Sequence, residues 1–167
     1  MRFHRRKKRI SNREGERWMS SLPFLLEGYV VPGKQLGTRL GFPTANIAYD
    51  PQECEWPREG VYVGIAQLEG EDKAYAAILN QGRHPTAPGG MPTVEAHLLG
   101  YPQKALYDRK LFLTYRAYLR PEKQFPSLEA LQTQLSLDRL SAVEWIRVNE
   151  PELMKTIEPE GAKDGTL

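Results

Sequence analysis

The sequence predicts a small antiparallel β-barrel or β-sandwich with helix confined to its C-terminal part. Three observations predict this fold class. Five or six segments of strand composition, separated by turn residues, follow one another between Leu22 and Leu119. No helical periodicity interrupts these segments, which argues against a parallel α/β sheet. Leucines at helical spacing appear only after Pro126, so we expect a helix packed outside the strands.

The early strands are separated by clear turn signals. Leu22–Val31 has strand composition, and Gly28 within it predicts a bulge or a point of close backbone approach. The turn Glu69–Asp72 joins Gly60–Leu68 to Lys73–Asn80, which is the pattern of a β-hairpin. Residues 82–92 are rich in glycine and proline and predict a mobile loop.

Two more strands and the helix complete the predicted elements. Thr93–Leu99 and Leu111–Leu119 have strand composition, and the second is apolar at alternate positions. The helix begins after Ser127, a suitable N-cap, with Glu129 in its first turn. One bent helix or two helices fit the leucine spacing that follows, and Pro151 ends it.

Length and composition are those of one soluble domain. The chain has 167 residues, of which 40% are hydrophobic and 26% charged. No apolar run approaches the ~18 residues that span a membrane, and the N-terminus lacks the apolar region of a secretory signal. Cys54 is the single cysteine, which excludes an internal disulfide and a cysteine-based zinc site. We therefore expect a cytoplasmic protein without a membrane partner.

Positive charge is concentrated at the N-terminus. Residues 1–20 hold eight of the 23 Lys and Arg residues but two of the 21 Asp and Glu residues, so the remainder is mildly acidic. A basic arm of this kind can bind nucleic acid. We favour a solvated, flexible terminus, because no aromatic residue that could stack on bases is interleaved in residues 5–17. The predicted organisation is an arm over residues 1–21, a body over 22–150 and a polar tail over 151–167.

A glycine-punctuated loop, Gly41–Ile47, is the first candidate site. The Thr44 hydroxyl and the Asn46 carboxamide are hard oxygen donors of the kind that Mg²⁺ prefers. Pro43 favours an extended chain, in which these two side chains face the same way. The loop matches neither the Walker P-loop nor the G-x-G-x-x-G spacing. It indicates a phosphate and magnesium site, with an ordinary Gly/Pro turn before a strand as the alternative.

A carboxylate on a later strand is the second candidate. In Val94–Leu98, alternation places Glu95 and His97 on one face and the apolar residues on the other. A carboxylate beside a Gly/Pro-rich loop can accept a proton from a substrate hydroxyl. The alternative is an exposed strand residue.

Five motifs in one order resemble the riboflavin kinase family. They are Gly28-Tyr-Val-Val-Pro-Gly33, Leu40-Gly-Phe-Pro-Thr-Ala-Asn-Ile47, Gly60-Val-Tyr62, Val94-Glu-Ala-His-Leu-Leu99 and Tyr118-Leu-Arg-Pro-Glu-Lys-Gln-Phe125. The resemblance covers residues 22–147. It implies a six-stranded antiparallel Greek-key β-barrel with a C-terminal α-helix. It also implies transfer of the ATP γ-phosphoryl group to the 5′-hydroxyl of riboflavin, which gives FMN and ADP.

The resemblance further implies a role for each matching residue. Glu95 would be the catalytic base, and Thr44 and Asn46 would hold the ATP phosphates and Mg²⁺, with Zn²⁺ or Mn²⁺ as alternative metals. The remaining nucleotide positions would be Gly33, Gly41, Pro43, Leu98, Gly100 and Tyr107. The riboflavin positions would be Arg120, Lys123 and Phe125. ATP and riboflavin are then the expected partners, and we expect a monomer.

A departure from the family pattern and a missing domain both bear on these expectations. The family commonly has a basic residue where Thr38 stands, and the adjacent Arg39 would point the opposite way if this segment were extended. The motif and the α/β domain of an adenylyltransferase half are missing, so we expect a stand-alone kinase module, either a single-function enzyme or a fragment. The alternative function is a non-catalytic flavin-binding regulator that uses residues 1–17 on nucleic acid.

Overall fold

The strands of the computed structural model close into a barrel, as the resemblance implied. The model describes residues 22–33, 36–50, 56–83, 91–102 and 104–157. The strands are β1 (Phe24–Val31), β2 (Ala45–Ala48), β3 (Gly60–Leu68), β4 (Ala74–Arg83), β5 (Pro92–Leu98) and β6 (Lys110–Arg120). They form one closed sheet in the order β1-β2-β5-β4-β3-β6, and every pair is antiparallel. The predicted six-stranded antiparallel barrel is confirmed.

Alternation along the strands divides the apolar residues between two clusters. Inward-facing side chains fill the barrel, where Tyr62 and Tyr115 are buried with ring centroids 5.0 Å apart. Outward-facing Val63 and Ile78 pack against the C-terminal helices. Gly28 allows the predicted close backbone approach, since a Cβ there would lie 2.4 Å from the Ala48 carbonyl oxygen.

The leucine-rich C-terminal stretch forms one helix, α2 (Leu128–Asn149). The Ser127 hydroxyl accepts a hydrogen bond from the Ala130 amide at 3.1 Å, which confirms the predicted N-cap. Residues 151–157, at the start of the predicted polar tail, form a 3-10 turn and a short helix. These turns cover the outer face of the barrel because Leu153 and Ile157 are apolar and pack there.

The glycine-rich connection between β1 and β2 contains a single helical turn, α1 (Leu36–Arg39). The Gly37 carbonyl accepts hydrogen bonds from the amides of Leu40 (3.1 Å) and Phe42 (2.7 Å), which closes a compact turn. This segment is helical and not extended, so the condition under which Arg39 was expected to point away from Thr38 does not hold.

Several predicted segments lie outside the described residues, namely the arm over residues 1–21, most of the mobile loop at 82–92, and residues 158–167. Among the helices that the structure does describe, none combines the length and the apolar character that a membrane span requires.

Candidate active site

A cleft of about 280 Å³ lies between the outer face of the barrel, the connection from β6 to α2, and the first half of α2. The sequence-predicted residues that line it are Thr44, Asn46, Glu95, Arg120, Lys123 and Phe125. The fold therefore gathers into one cleft both predicted metal ligands, the predicted base and the three predicted riboflavin contacts.

The floor of the cleft is a row of residues that runs across five strands in one register. Asn46 on β2 lies opposite Glu95 on β5, and Glu95 lies opposite Asn80 on β4. The row continues from Asn80 to Val61 on β3 and from Val61 to Arg120 on β6. Paired residues on neighbouring strands face the same side of a sheet. The antiparallel register therefore brings a carboxamide, a carboxylate and a guanidinium group from distant parts of the sequence onto one surface.

The predicted metal ligands lie at the edge of this row. Asn46 packs closely under Gly33, where a Cβ would lie 1.7 Å from the Asn46 Nδ2 atom. Among the described residues there is no cluster of three or more His, Cys, Asp or Glu side chains that could hold a metal. The hydroxyl of Thr44 and the carboxamide of Asn46 are hard oxygen donors. They fit a Mg²⁺ ion whose remaining ligands are substrate phosphates and water.

His97 connects the predicted metal-ligand loop, Gly41–Thr44, to the strand that carries Glu95. Its Nδ1 atom donates a hydrogen bond to the Pro43 carbonyl oxygen at 2.7 Å. The Phe42 ring meets the imidazole edge-on, with centroids 5.7 Å apart. Burial lowers the pKa of His97 below its usual value, and Arg139 acts in the same direction, while the hydrogen bond with Pro43 opposes them. The imidazole is therefore neutral at pH 7.

An ion pair fastens α2 to the barrel at the floor of the cleft. Arg120 donates through Nε and Nη2 to the two carboxylate oxygens of Asp138, at 2.7 and 2.6 Å. The side chains of Arg120 and Asp138 are only 14% and 4% exposed, and Gln134 adds a hydrogen bond to the carboxylate at 2.9 Å. The Arg120 guanidinium also lies 6.0 Å from the centroid of the Phe125 ring. The guanidinium group of Arg120 is thus directed at α2.

A second carboxylate, that of Glu122, also lines the cleft. Desolvation raises the pKa of Glu122 above its usual value, and repulsion from Glu59 and Glu95 adds to this, while a hydrogen bond with Asn80 opposes it. The carboxylate occupies the space above Gly82, where a Cβ would lie 2.3 Å from Oε1.

The other predicted nucleotide residues do not line this cleft. Gly41 has φ +83 and lies in open space, as a turn before β2 requires. The Leu98 side chain is buried in the barrel interior, so only its backbone could meet a ligand. Gly100 packs against the Thr156 carbonyl, and the Tyr107 side chain is 49% exposed. Their contacts with a nucleotide remain predictions.

The family model for riboflavin kinase, also called flavokinase, matches residues 20–146. The chain belongs to the riboflavin kinase family. It is 36% identical over 129 residues to the bifunctional riboflavin kinase/FMN adenylyltransferase of Escherichia coli (strain K12), which is 77% of this chain and 40% of that relative. The chain therefore spans about two fifths of the length of this curated relative.

Two further matches agree with membership of the riboflavin kinase family. The crystal structure of riboflavin kinase from Trypanosoma brucei superposes with a TM-score of 0.56 at 26% identity, covering 81% of this chain and 86% of that one. The RNA-binding riboflavin kinase RibR of Bacillus subtilis (strain 168) is 33% identical over 115 residues, which is 68% of this chain and 47% of that relative.

Within this riboflavin kinase barrel, sequence reasoning missed four polar residues that belong to the cleft or its loop. They are Asn80, His97, Glu122 and Asp138. His97 could have been found, since alternation already placed it on the face of Glu95. Glu122 adjoins the matched Arg120 in the same motif. Nothing in the sequence distinguishes Asp138 from other acidic residues of a solvated helix.

Proposed function

We propose that this protein is a riboflavin kinase that transfers the γ-phosphoryl group of ATP to the 5′-hydroxyl of riboflavin, an ATP:riboflavin 5′-phosphotransferase. The observation that carries the proposal is the pairing of Asn46 with Glu95 on neighbouring strands, within one cleft that also holds Thr44 and Phe125. With the roles proposed for Asn46 and Glu95, this pairing would bring a site for phosphate and metal next to a base, which a kinase for a hydroxyl substrate requires.

In the proposed reaction the 5′-oxygen of riboflavin attacks the γ-phosphorus of ATP. The bond from the γ-phosphorus to the β–γ bridging oxygen breaks, and ADP leaves with that electron pair. Glu95 orients the hydroxyl and accepts its proton, which contributes about 10²–10⁴-fold to the rate in general-base catalysis. The products are FMN and ADP.

Thr44 and Asn46 would hold the divalent metal through their side-chain oxygens. When bound, Mg²⁺ neutralises charge on the β- and γ-phosphates and thereby stabilises the transferring group. Gly33 leaves the space that the Asn46 carboxamide occupies, so the glycine supports the metal ligand by having no side chain.

The other wall of the cleft suits the flavin ring. Phe125, Leu131 and Leu135 form an apolar surface between the β6–α2 connection and α2. An isoalloxazine ring is flat and largely apolar, so it gains from contact with such a surface. Lys123, which also lines the cleft, offers a positive charge to the 5′-phosphate of the product FMN.

The direct test is incubation of the purified protein with riboflavin, ATP and MgCl₂, followed by chromatographic separation of FMN. We expect FMN and ADP in equal amounts, loss of turnover with EDTA, and recovery on addition of Mg²⁺, Mn²⁺ or Zn²⁺. The proposal would be contradicted if no FMN formed with any of these metals and the common nucleoside triphosphates.

We also expect the protein to be a monomer and to be located in the cytoplasm.

A second function is proposed because one relative is named as an RNA-binding riboflavin kinase and because residues 1–20 of this chain are strongly basic. The chain would then bind RNA through residues 1–17 and flavin through the barrel. RNA affinity that falls steeply with salt, and that is lost on deletion of residues 1–17, would support this function. Salt-independent or undetectable RNA binding would contradict it.

A further inference from the structure

We infer that His97 is a positioning residue that fixes the metal-ligand loop against the strand of the base, and that it does so as the Nδ1-protonated tautomer. The inference rests on the proposed function, since it assigns His97 a part in binding the metal–nucleotide complex. The inference assigns His97 no part in the chemical step itself.

The hydrogen bond spans two parts of the site that are far apart in sequence. Pro43 immediately precedes Thr44, the first predicted metal ligand, and His97 lies two residues after Glu95 on β5. The bond from Nδ1 to the Pro43 carbonyl is 2.7 Å long. The backbone of β2 pairs with that of β5 at only two positions, Asn46 with Glu95 and Ala45 with Ala96. The hydrogen bond from the His97 side chain therefore attaches β5 to the chain just before β2, where this backbone pairing has ended.

The tautomer follows from the acceptor. A proline carbonyl oxygen can only accept, so the Nδ1 atom of His97 must carry the proton. The imidazole is neutral at pH 7, as described above, so its Nε2 atom is then unprotonated. Protonation of Nε2 at low pH would leave the Nδ1–H donor in place, so the hydrogen bond survives in both charge states.

Packing against Phe42 restrains the loop in a second direction. The ring of Phe42 meets His97 edge-on at 5.7 Å, and the Phe42 amide is held by the Gly37 carbonyl. The loop residues on both sides of the Phe42–Pro43 peptide are thus tied to fixed partners. Loss of the Nδ1–H donor would release the carbonyl next to Thr44.

The test compares two substitutions of His97. His97→Leu removes the donor and keeps an apolar side chain, whereas His97→Asn retains an N–H donor near the position of Nδ1. We expect His97→Leu to weaken binding of Mg²⁺ with the non-hydrolysable analogue AMP-PNP by roughly three- to ten-fold, the effect of one hydrogen bond. We expect His97→Asn to restore the affinity to within about two-fold of wild type, on the same reasoning.

Riboflavin affinity and thermal stability separate positioning from a general structural role. Riboflavin fluorescence quenching should give the same Kd for all three proteins, because the flavin wall of the cleft is formed by α2 and the β6–α2 connection. Thr93→Val is a matched control, since Thr93 on the same strand donates to the Gly82 carbonyl at 3.3 Å, away from the loop. It should change neither affinity.

The tautomer is measured without any activity. A long-range ¹H–¹⁵N NMR spectrum should show one histidine as the Nδ1–H tautomer, and its signal should vanish in His97→Leu. An Nε2–H tautomer, equal AMP-PNP affinity for His97→Leu and wild type, or parallel loss of riboflavin affinity and stability would each overturn the inference. Failure of the proposed function is distinguishable, since it would appear as absent FMN formation with the tautomer unchanged.

Discussion

Asn46 on β2 and Glu95 on β5 lie directly opposite each other in the barrel. The pair joins the predicted metal ligand to the predicted base, and the separation of the two is fixed by strand pairing rather than by flexible loops. Strands in a barrel are among its more rigid elements, so the relative position of Asn46 and Glu95 varies little. Substitutions that move either residue should therefore affect turnover more than stability.

Gly33→Ala is expected to lower kcat/KM for MgATP with little effect on thermal stability. The new Cβ would meet the Asn46 carboxamide, which is the mobile end of a side chain and can move aside. We expect kcat/KM for MgATP to fall about ten-fold, which corresponds to about 1.4 kcal/mol, and Tm to change by less than about 2 °C. Steady-state kinetics and a thermal melt check both.

Gly64→Ala serves as the matched control, because there a Cβ would lie 2.5 Å from Leu79 Cδ1 in the barrel core. Overpacking of a core costs about 1–3 kcal/mol, so Gly64→Ala should lower Tm and leave the KM for MgATP unchanged in the folded protein. Equal Tm losses for the two alanine variants would contradict the role assigned to Gly33.

Asp138→Asn should loosen α2 from the barrel. The substitution leaves the buried Arg120 guanidinium without its charge partner, which typically costs about 3–5 kcal/mol. The helix also supplies Leu131 and Leu135 to the cleft, so riboflavin affinity should fall along with stability. Urea unfolding and flavin fluorescence quenching measure the two effects.

Glu144→Gln on the same helix is the comparison for that ion pair. Arg147 donates to Glu144 at 2.7 Å, but both side chains are more than half exposed. An exposed pair contributes about 0.5 kcal/mol or less. A loss of stability as large in Glu144→Gln as in Asp138→Asn would show that burial does not distinguish the two ion pairs.

Glu122→Gln should stabilise the protein at neutral pH. Because desolvation raises the folded-state pKa of Glu122, its ionised form costs stability above that pKa, and the cost disappears as the pH falls through it. The Tm gain of Glu122→Gln, measured by thermal melts, should therefore be largest near pH 8 and shrink towards pH 4.

Glu152→Gln should have the opposite effect on Tm: a loss at neutral pH that shrinks as the pH falls. The hydrogen bond and charge of Lys155 lower the pKa of Glu152, so its contribution is present at neutral pH and lost as the pH falls through that lowered value. A Tm gain for Glu122→Gln that is the same at pH 4 and pH 8 would contradict the proposed cause.

Most of the fold was predictable from the sequence because strand alternation and turn residues are local signals. Gly60–Leu68 is the strand that the composition predicted, and Ser127 caps the helix as expected. The turn at Leu36–Arg39 was not predictable in this way, because it depends on hydrogen bonds to the Gly37 carbonyl in a four-residue segment too short for periodicity.

The residues of the candidate site also differ in whether a local sequence signal predicts them. Glu95, Thr44 and Asn46 were predicted because each belongs to a compact motif, and the cleft contains all three. The ion pair of Arg120 with Asp138 could not be predicted, because it joins residues 18 positions apart through the packing of a helix on a barrel. Tertiary packing alone determines which of the acidic residues of α2 meets Arg120.

The rate of FMN formation by Glu95→Gln tests the central claim most directly. With riboflavin, ATP and Mg²⁺ in excess, we expect kcat about 10²–10⁴-fold below wild type, while the Kd for riboflavin and the Tm stay close to the wild-type values. That result would mean that Glu95 is needed for the transfer itself. A kcat for Glu95→Gln within about three-fold of wild type would contradict the assignment of Glu95 as the base.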